Sequence, residues 1–80
     1  MVMNVRDKKF LLAFGKNVRE LRLQKSLSQY KLSYDSNISR SQIIAIENGQ
    51  INTTICTLYA LAKGLEIPPK KLMDFEIEPS

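Results

Sequence analysis

The apolar residues near the start of the chain recur at helical spacing. They are separated by steps of four, four and three residues and comprise Phe10, Phe14, Val18 and Leu21. This spacing places them on one face of an amphipathic helix. Asp7 precedes the stripe and suits the N-cap position, because its carboxylate can accept hydrogen bonds from the free backbone N–H groups of the first turn. The pattern predicts a helix from Asp7 to Gln24.

Two short segments in the middle of the chain share one template. An apolar residue is followed by a serine, and a second apolar residue stands four positions after that serine, in Leu27-Ser28 with Leu32 and in Ile38-Ser39 with Ile43. Such a serine acts as an N-cap, and the apolar pair packs across it as a hydrophobic staple. The template predicts two short helices joined by a tight turn over residues 35–37, where Asn37 tolerates a left-handed backbone.

The second short helix is predicted to run from Ser39 to Asn48, with Gly49 as its C-terminal stop. After a polar loop, Thr54 is expected to cap a fourth helix that ends near Gly64. The core-facing stripe predicted for this helix comprises Ile55, Leu58, Tyr59, Leu61 and Ala62. Pro69 suits the first position of a short fifth helix, in which Leu72 and Phe75 close the core. No segment alternates apolar and polar residues for long enough to predict a strand, so the expected fold class is all-α with five helices.

Composition and charge narrow the class of protein further. Eighty residues, of which 44% are hydrophobic, correspond to one domain. The net charge is +4, and residues 1–31 carry eight Lys or Arg residues against two acids, whereas residues 74–80 carry three acids and no base. A basic body with an acidic end is compatible with a polyanionic partner, although a solvated surface explains the charge equally well.

The residues that most enzymes and metal sites require are scarce. The chain has one cysteine, Cys56, and no histidine, so no internal disulfide, metal site or cofactor is expected and an enzyme is disfavoured. No stretch approaches the roughly 18 apolar residues of a membrane span, and the N-terminus lacks the apolar region of a signal peptide. These features predict a soluble cytoplasmic protein.

The helix Ser39–Asn48 has one apolar and one largely polar face. Its N-cap register directs Ile43 and Ile46 towards the core and leaves an outward face of Arg40, Ser41, Ile44 and Ala45. Two short helices with a tight turn form a helix-turn-helix, whose second helix can enter the major groove of DNA. Arg40 could bind guanine in bidentate fashion. Ile44 has two interpretations of equal weight: it contacts a thymine methyl group, or it packs on the first or fourth helix.

From Phe14 to Phe75 the chain resembles the Cro and phage-repressor family of helix-turn-helix domains. The resemblance is carried by Phe14-Gly15-x-x-Val18-Arg19-Glu20-Leu21-Arg22, by Leu27-Ser28-Gln29-x-x-Leu32, by Ile38-Ser39-Arg40-Ser41-x-Ile43-x-x-Ile46-Glu47-Asn48-Gly49, by Thr57-Leu58-Tyr59-x-Leu61-Ala62, and by Leu72-x-Asp74-Phe75. It implies a compact five-helix, lambda-repressor-like domain that binds double-stranded operator DNA and regulates transcription.

The resemblance also implies roles for individual residues. The base-reading positions of the family correspond to Arg40, Ser41, Ile44 and Ala45. Positions that contact phosphates correspond to Gln29, Ser39, Gln42, Asn48 and Gln50, and Gln29 is also expected to brace the recognition helix. Arg22 and Glu47 match a buried structural ion pair. The chain departs from the family pattern in having Asn37 for a turn glycine, Ser33 for a small alanine, and Thr53 for a proline.

Several expectations concern organisation and partners. We expect an N-terminal arm over residues 1–6, the DNA-binding domain over 7–75 and a tail over 76–80. A homodimer on two DNA half-sites is expected, with an interface within residues 53–75 marked by exposed Leu65, Ile67 or Met73. The regulator is either a plain repressor or a restriction–modification controller. The alternative is an antitoxin, or a protein-interaction module with the same fold.

Overall fold

Four α-helices and one short 3₁₀ helix make up the part of the chain that the computed structural model describes, residues 7–77. The helices are α1 (Lys8–Gln24), α2 (Gln29–Ser36), α3 (Arg40–Glu47), α4 (Ile55–Leu65) and the 3₁₀ helix Pro69–Met73. No strand occurs within residues 7–77, so the fold is all-α. The predicted arm, residues 1–6, and the end of the predicted tail, residues 78–80, lie outside the described residues. In the described part, no helix has the length and apolar character needed to cross a bilayer.

Each α-helix begins at the N-cap that the sequence predicts. In all four cases the side-chain oxygen of the cap accepts a hydrogen bond from the backbone N–H three residues later, which satisfies a donor that the helix itself leaves free. The caps are Asp7, Ser28, Ser39 and Thr54. The starts of α2 and α3 are therefore set locally, by short-range chemistry within each segment.

Residues with left-handed backbone separate the helices. Asn37 (φ +60°) and Gly49 (φ +69°) adopt this conformation as predicted, although α2 continues through Ser36 and leaves Asn37 alone at the turn. Ser26 (φ +57°) and Glu66 (φ +56°) adopt it too. Neither residue is glycine or asparagine, so the sequence contains no signal for these two turns.

The helices pack in two pairs, α1 on α3 and α2 on α4, and the 3₁₀ helix lies against α1 and α4. Their inward faces form one hydrophobic core. The residues in it with exposure of 2% or less are Val18, Leu32, Ile43, Ile46, Leu61, Ala62, Leu65 and Leu72. The predicted burial of Ile43 and Ile46, beneath the outward face of α3, is confirmed.

The predicted inward stripe of α4 is partly wrong. Ile55 is 82% exposed and Tyr59 is 57% exposed, whereas Leu65, which was expected on the surface, is 1% exposed. The buried face of the helix is centred on Leu61 and Leu65. Ile55 lies in the first turn and Tyr59 to one side of that face, where no other element of the described chain covers them.

The predicted fifth α-helix is a five-residue 3₁₀ helix. The backbone N–H of Lys71 donates to the Pro68 carbonyl three residues earlier, at 3.0 Å, and short segments of this kind commonly adopt 3₁₀ geometry. Leu72 is fully buried, as expected. Phe75 lies beyond the 3₁₀ helix, where its ring packs against the rings of Phe10 and Phe14 at centroid distances of 5.6 and 6.2 Å.

Glycines allow the helices of each pair to approach closely. A Cβ atom on Gly15 of α1 would collide with the Ile46 carbonyl oxygen and lie 2.6 Å from the Glu47 carbonyl oxygen of α3. A Cβ atom on Gly64 of α4 would lie 2.9 Å from the Cβ of Ser36 in α2. The backbone of α1 is thus in direct contact with the last turn of α3, and only glycine fits there.

A buried ion pair ties α1 to the end of α3. The Arg22 Nε donates to Glu47 Oε2 at 2.7 Å and its Nη2 donates to Glu47 Oε1 at 3.0 Å. Both side chains are largely buried, with exposures of 9% and 2%. Arg22 Nη1 also donates to the Leu27 carbonyl at 2.8 Å, in the connection between α1 and α2. One guanidinium therefore holds three parts of the chain together.

We predict that Gly15→Ala destabilises the protein by about 1–3 kcal/mol, because the added methyl group must push α3 away from α1. Alanine otherwise favours a helix over glycine by roughly 1 kcal/mol, so a loss of stability would isolate the steric effect. Urea unfolding followed by circular dichroism measures the change. Lys16→Ala, at the exposed neighbouring position, is the control and should leave stability nearly unchanged. A Gly15→Ala variant as stable as the wild type would refute the close contact.

Glu47→Ala should cost about 3–5 kcal/mol, because it strands the buried Arg22 guanidinium without its partner. The matched control is Lys31→Ala, which removes the exposed pair Lys31–Asp35 (Nζ to Oδ1, 2.9 Å) and should cost below about 1 kcal/mol. The same urea titration compares the two variants. Equal losses in both would contradict a special role for the buried pair.

Candidate nucleic-acid interface

The outward face of α3 carries the four residues predicted to read bases. Arg40 and Ser41 are exposed, Ile44 is 36% exposed, and Ala45 is half-buried at the edge of the face. Ile44 is not one of the buried residues of the hydrophobic core. The face therefore combines a guanidinium, a hydroxyl and two apolar side chains on one helix surface.

Two of the predicted phosphate contacts lie in the first turn of α3. The Ser39 hydroxyl accepts from the Gln42 backbone N–H at 3.2 Å and is 3.4 Å from the Ser41 hydroxyl. Ser39 is exposed and Gln42 is half-buried. The cap that starts the helix is thus also part of its accessible surface.

The other end of α3 carries Asn48, its exposed C-cap residue, and the loop residue Gln50. The backbone N–H of Gln50 donates to the Ala45 carbonyl at 2.9 Å, which holds the loop against the last turn. The predicted phosphate contacts therefore flank the predicted base-reading face at both ends, as expected for a helix that lies between two DNA strands.

Gln29, the first residue of α2, joins the buried ion pair. Its Nε2 donates to Glu47 Oε1 at 3.2 Å, the same oxygen that accepts from Arg22. This contact places the start of α2 beside the end of α3. Glu47 therefore orients Gln29 as well as Arg22, and the geometry accounts for the bracing role that the family resemblance implies.

A second hydrogen bond links α2 to the turn before α3. The Ser33 hydroxyl donates to the Ile38 carbonyl at 2.5 Å. Serine replaces the small alanine of the family at this position, and its hydroxyl bonds across the turn to the residue before the cap of α3. The hydrogen bonds of Gln29 and Ser33 therefore connect one side of α2 to α3 and to the turn before it.

Two tyrosines of α2 are exposed, although they are not among the DNA contacts predicted from the sequence. Tyr30 is 66% exposed and Tyr34 is 75% exposed. Their spacing of four residues places both tyrosines on one side of α2, and this spacing could have indicated an exposed aromatic pair. Leu32 and Ser36 occupy the buried side of the same helix. The ammonium of Lys31 lies 5.5 Å from the centre of the Tyr34 ring, and its hydrogen bond to Asp35 raises the pKa of Lys31 above the ordinary lysine value.

No group of three or more His, Cys, Asp or Glu side chains within residues 7–77 could hold a metal ion. Cys56 is exposed near the start of α4. Exposed basic side chains line α1 at Lys8, Lys9, Lys16 and Arg19.

Comparisons with known proteins agree with this geometry. The helix-turn-helix domain family (HTH_19) matches residues 15–76. The control protein C.BamHI of Bacillus amyloliquefaciens is 40% identical over 65 residues, which cover 80% of each chain. An uncharacterised HTH-type transcriptional regulator, y4dJ, of Sinorhizobium fredii is 34% identical over 59 residues, covering 74% of this chain and 77% of that protein.

Solved structures include two similar controller proteins. The restriction–modification controller protein C.AhdI from Aeromonas hydrophila superimposes with a TM-score of 0.76 at 40% identity, covering 78% of this chain and 94% of that one. The controller protein C.Esp1396I, solved as a tetramer with its natural 35-base-pair operator, has a TM-score of 0.75 at 32% identity and covers 81% of this chain and 86% of that one.

These relatives are regulators and not enzymes. The family match spans most of the chain, and the similarity to C.BamHI covers four fifths of both proteins. The chain therefore belongs to the helix-turn-helix family of DNA-binding transcriptional regulators that includes the restriction–modification controller proteins.

Proposed function

We propose that this protein is a restriction–modification controller that binds an operator by inserting α3 into the major groove of double-stranded DNA. The observation that carries the proposal is the outward face of α3, in which Arg40, Ser41 and Ile44 are accessible while Glu47 is locked into the domain. The side chains of an α-helix fill a groove about 12 Å wide. The operator complex of C.Esp1396I, a relative at 32% identity, supports the same use of this fold.

Within this proposal, bases are read by Arg40, Ser41, Ile44 and Ala45. Arg40 would bind guanine through two hydrogen bonds, and Ile44 and Ala45 offer apolar contact to a thymine methyl group. Phosphates are met by Gln29, Ser39, Gln42, Asn48 and Gln50, which set the register of the helix without reading sequence. The net charge of +4 adds attraction to any duplex.

We also propose that the chain has the organisation expected from its sequence. Residues 1–6 form an arm, residues 7–75 the DNA-binding domain and residues 76–80 a tail. The domain has the lambda-repressor-like arrangement of five segments, with the 3₁₀ helix in the place of the fifth α-helix. The proposed site of action is the cytoplasm, where a lone exposed thiol such as Cys56 stays reduced.

The proposed active form is a homodimer that joins through an apolar surface of Ile55, Tyr59 and Met73. These side chains are 82%, 57% and 49% exposed. All three lie in the predicted region 53–75. Of the residues expected to mark the interface, Met73 is exposed, Ile67 is half-buried and Leu65 is in the core. A twofold contact would cover the same surface on both protomers, because each presents it to the other.

Arg40→Ala should relax specificity, and Gln29→Ala should weaken binding to every sequence. Losing the bidentate contact of Arg40 should cost about 1–3 kcal/mol of binding free energy at one or two base positions. Fluorescence anisotropy measures the affinity of each variant, both for duplexes that the wild type selects from a random pool and for unselected duplexes. Wild-type affinity should fall steeply with salt for both. Absence of binding to either duplex at low salt would refute DNA binding and favour the antitoxin or protein-interaction alternative.

Ile55→Lys should convert the dimer to a monomer, because a charge would be buried at the twofold contact. Sedimentation equilibrium without DNA measures the mass directly. Leu23→Lys, which places the same charge at a 54% exposed leucine of α1, is the control and should remain dimeric. A dimeric Ile55→Lys variant would rule out the proposed surface.

A further inference from the structure

The two exposed tyrosines of α2 lie on a definite side of that helix. Leu32 and Ser36 face Gly64 of α4, while Gln29 and Ser33 make the hydrogen bonds to α3 and its preceding turn. Each tyrosine follows one of these α3-facing residues by one position, about 100° further round the helix. Going round α2, the order is therefore the side facing α4, the side facing α3, and then the tyrosines.

The outward face of α3 adjoins this side of α2. Glu47 marks the side of α3 that faces α2, because its carboxylate accepts from Gln29. Arg40 and Ile44 lie about 20° and 60° from Glu47 round the helix, so they occupy the part of the outward face nearest α2. The tyrosine side of α2 and the proposed base-reading face of α3 thus form one continuous surface.

A helix in the major groove has phosphates along both edges of the groove, since α3 with its side chains is about as wide as the groove itself. The neighbouring side of α2 then lies over one of those edges. Tyr30 is next to Gln29, in the first turn of α2, and its side chain is 66% exposed with no hydrogen bond to the described protein. A phenolic O–H is a hydrogen-bond donor that suits a phosphate oxygen.

We propose that Tyr30 is a further positioning residue of the DNA complex, whose hydroxyl donates to a phosphate oxygen at the edge of the groove beside Gln29. This inference rests on the proposed function, because it needs α3 in the major groove. It assigns Tyr30 to affinity and register, not to base recognition. The hydroxyl is neutral, so its contact releases no counterion and adds nothing to the salt dependence.

Tyr34 offers a matched control on the same side of the same helix. It lies one turn further from Gln29, about 5–6 Å along the axis, and its ring is already contacted by Lys31. The substitutions Tyr30→Phe and Tyr34→Phe each remove one exposed hydroxyl and leave the ring. Neither should change the thermal unfolding of the free protein.

The experiment measures the affinity of wild type, Tyr30→Phe and Tyr34→Phe for a duplex selected by the wild type and for a random duplex, across a series of salt concentrations. Tyr30→Phe is expected to weaken both complexes by about tenfold per protomer, and therefore by about a hundredfold per dimer, since each protomer loses a hydrogen bond to a charged oxygen. Its salt slope should equal that of the wild type, and Tyr34→Phe should bind within about twofold of it. The inference would be overturned if Tyr30→Phe bound DNA with wild-type affinity, or if both variants lost the same affinity.

A second readout separates contact from an indirect effect. Neutral methylphosphonates placed one at a time along the selected duplex should identify a position that weakens wild-type binding but has little effect on Tyr30→Phe. Equal sensitivity of both proteins at every position would also overturn the inference. A wild type that binds neither duplex would instead refute the proposed function, so the two failures are distinguishable.

Discussion

The buried pair between Arg22 and Glu47 is the interaction on which the position of α3 depends. Two charges removed from water are tolerated only when each is fully paired. Here the carboxylate accepts from Arg22 through both oxygens and also from Gln29, while the guanidinium reaches the Leu27 carbonyl. Because these groups belong to α1, its following connection, α2 and α3, a shift of any one would leave a buried charge or amide without its partner.

The helices that form the proposed DNA-facing surface depend on this framework because they are short. Eight residues are too few for an isolated helix to be stable in water, and α2 and α3 have eight each. Their serine caps set where they begin, but the close contacts at Gly15 and Gly64 hold them in place. Rigidity at the surface is therefore a property of the packing beneath it, and it lets a small domain present Arg40 in a defined direction.

Local chemistry was predictable from the sequence, and burial was less so. The four N-caps, the left-handed Asn37 and Gly49, and the inward Ile43 and Ile46 all follow from interactions within a few residues. The exposed Ile55 and Tyr59 and the buried Leu65 were assigned wrongly. An apolar residue indicates that burial would be favourable, but only the neighbouring elements decide whether anything covers it. Family resemblance supplied the Arg22–Glu47 pair, which periodicity alone does not indicate.

The sequence by itself determined the all-α class, the helix starts and the outward composition of α3, because capping and helical periodicity act over three or four residues. Only the tertiary structure decided that Gln29 and Arg22 share Glu47, that Ser33 bonds across the turn, and that Tyr30 is left exposed on α2. These relations join residues that are distant in the chain or on different helices. They depend on how closely the helix backbones approach, which is set by the packing of the whole core.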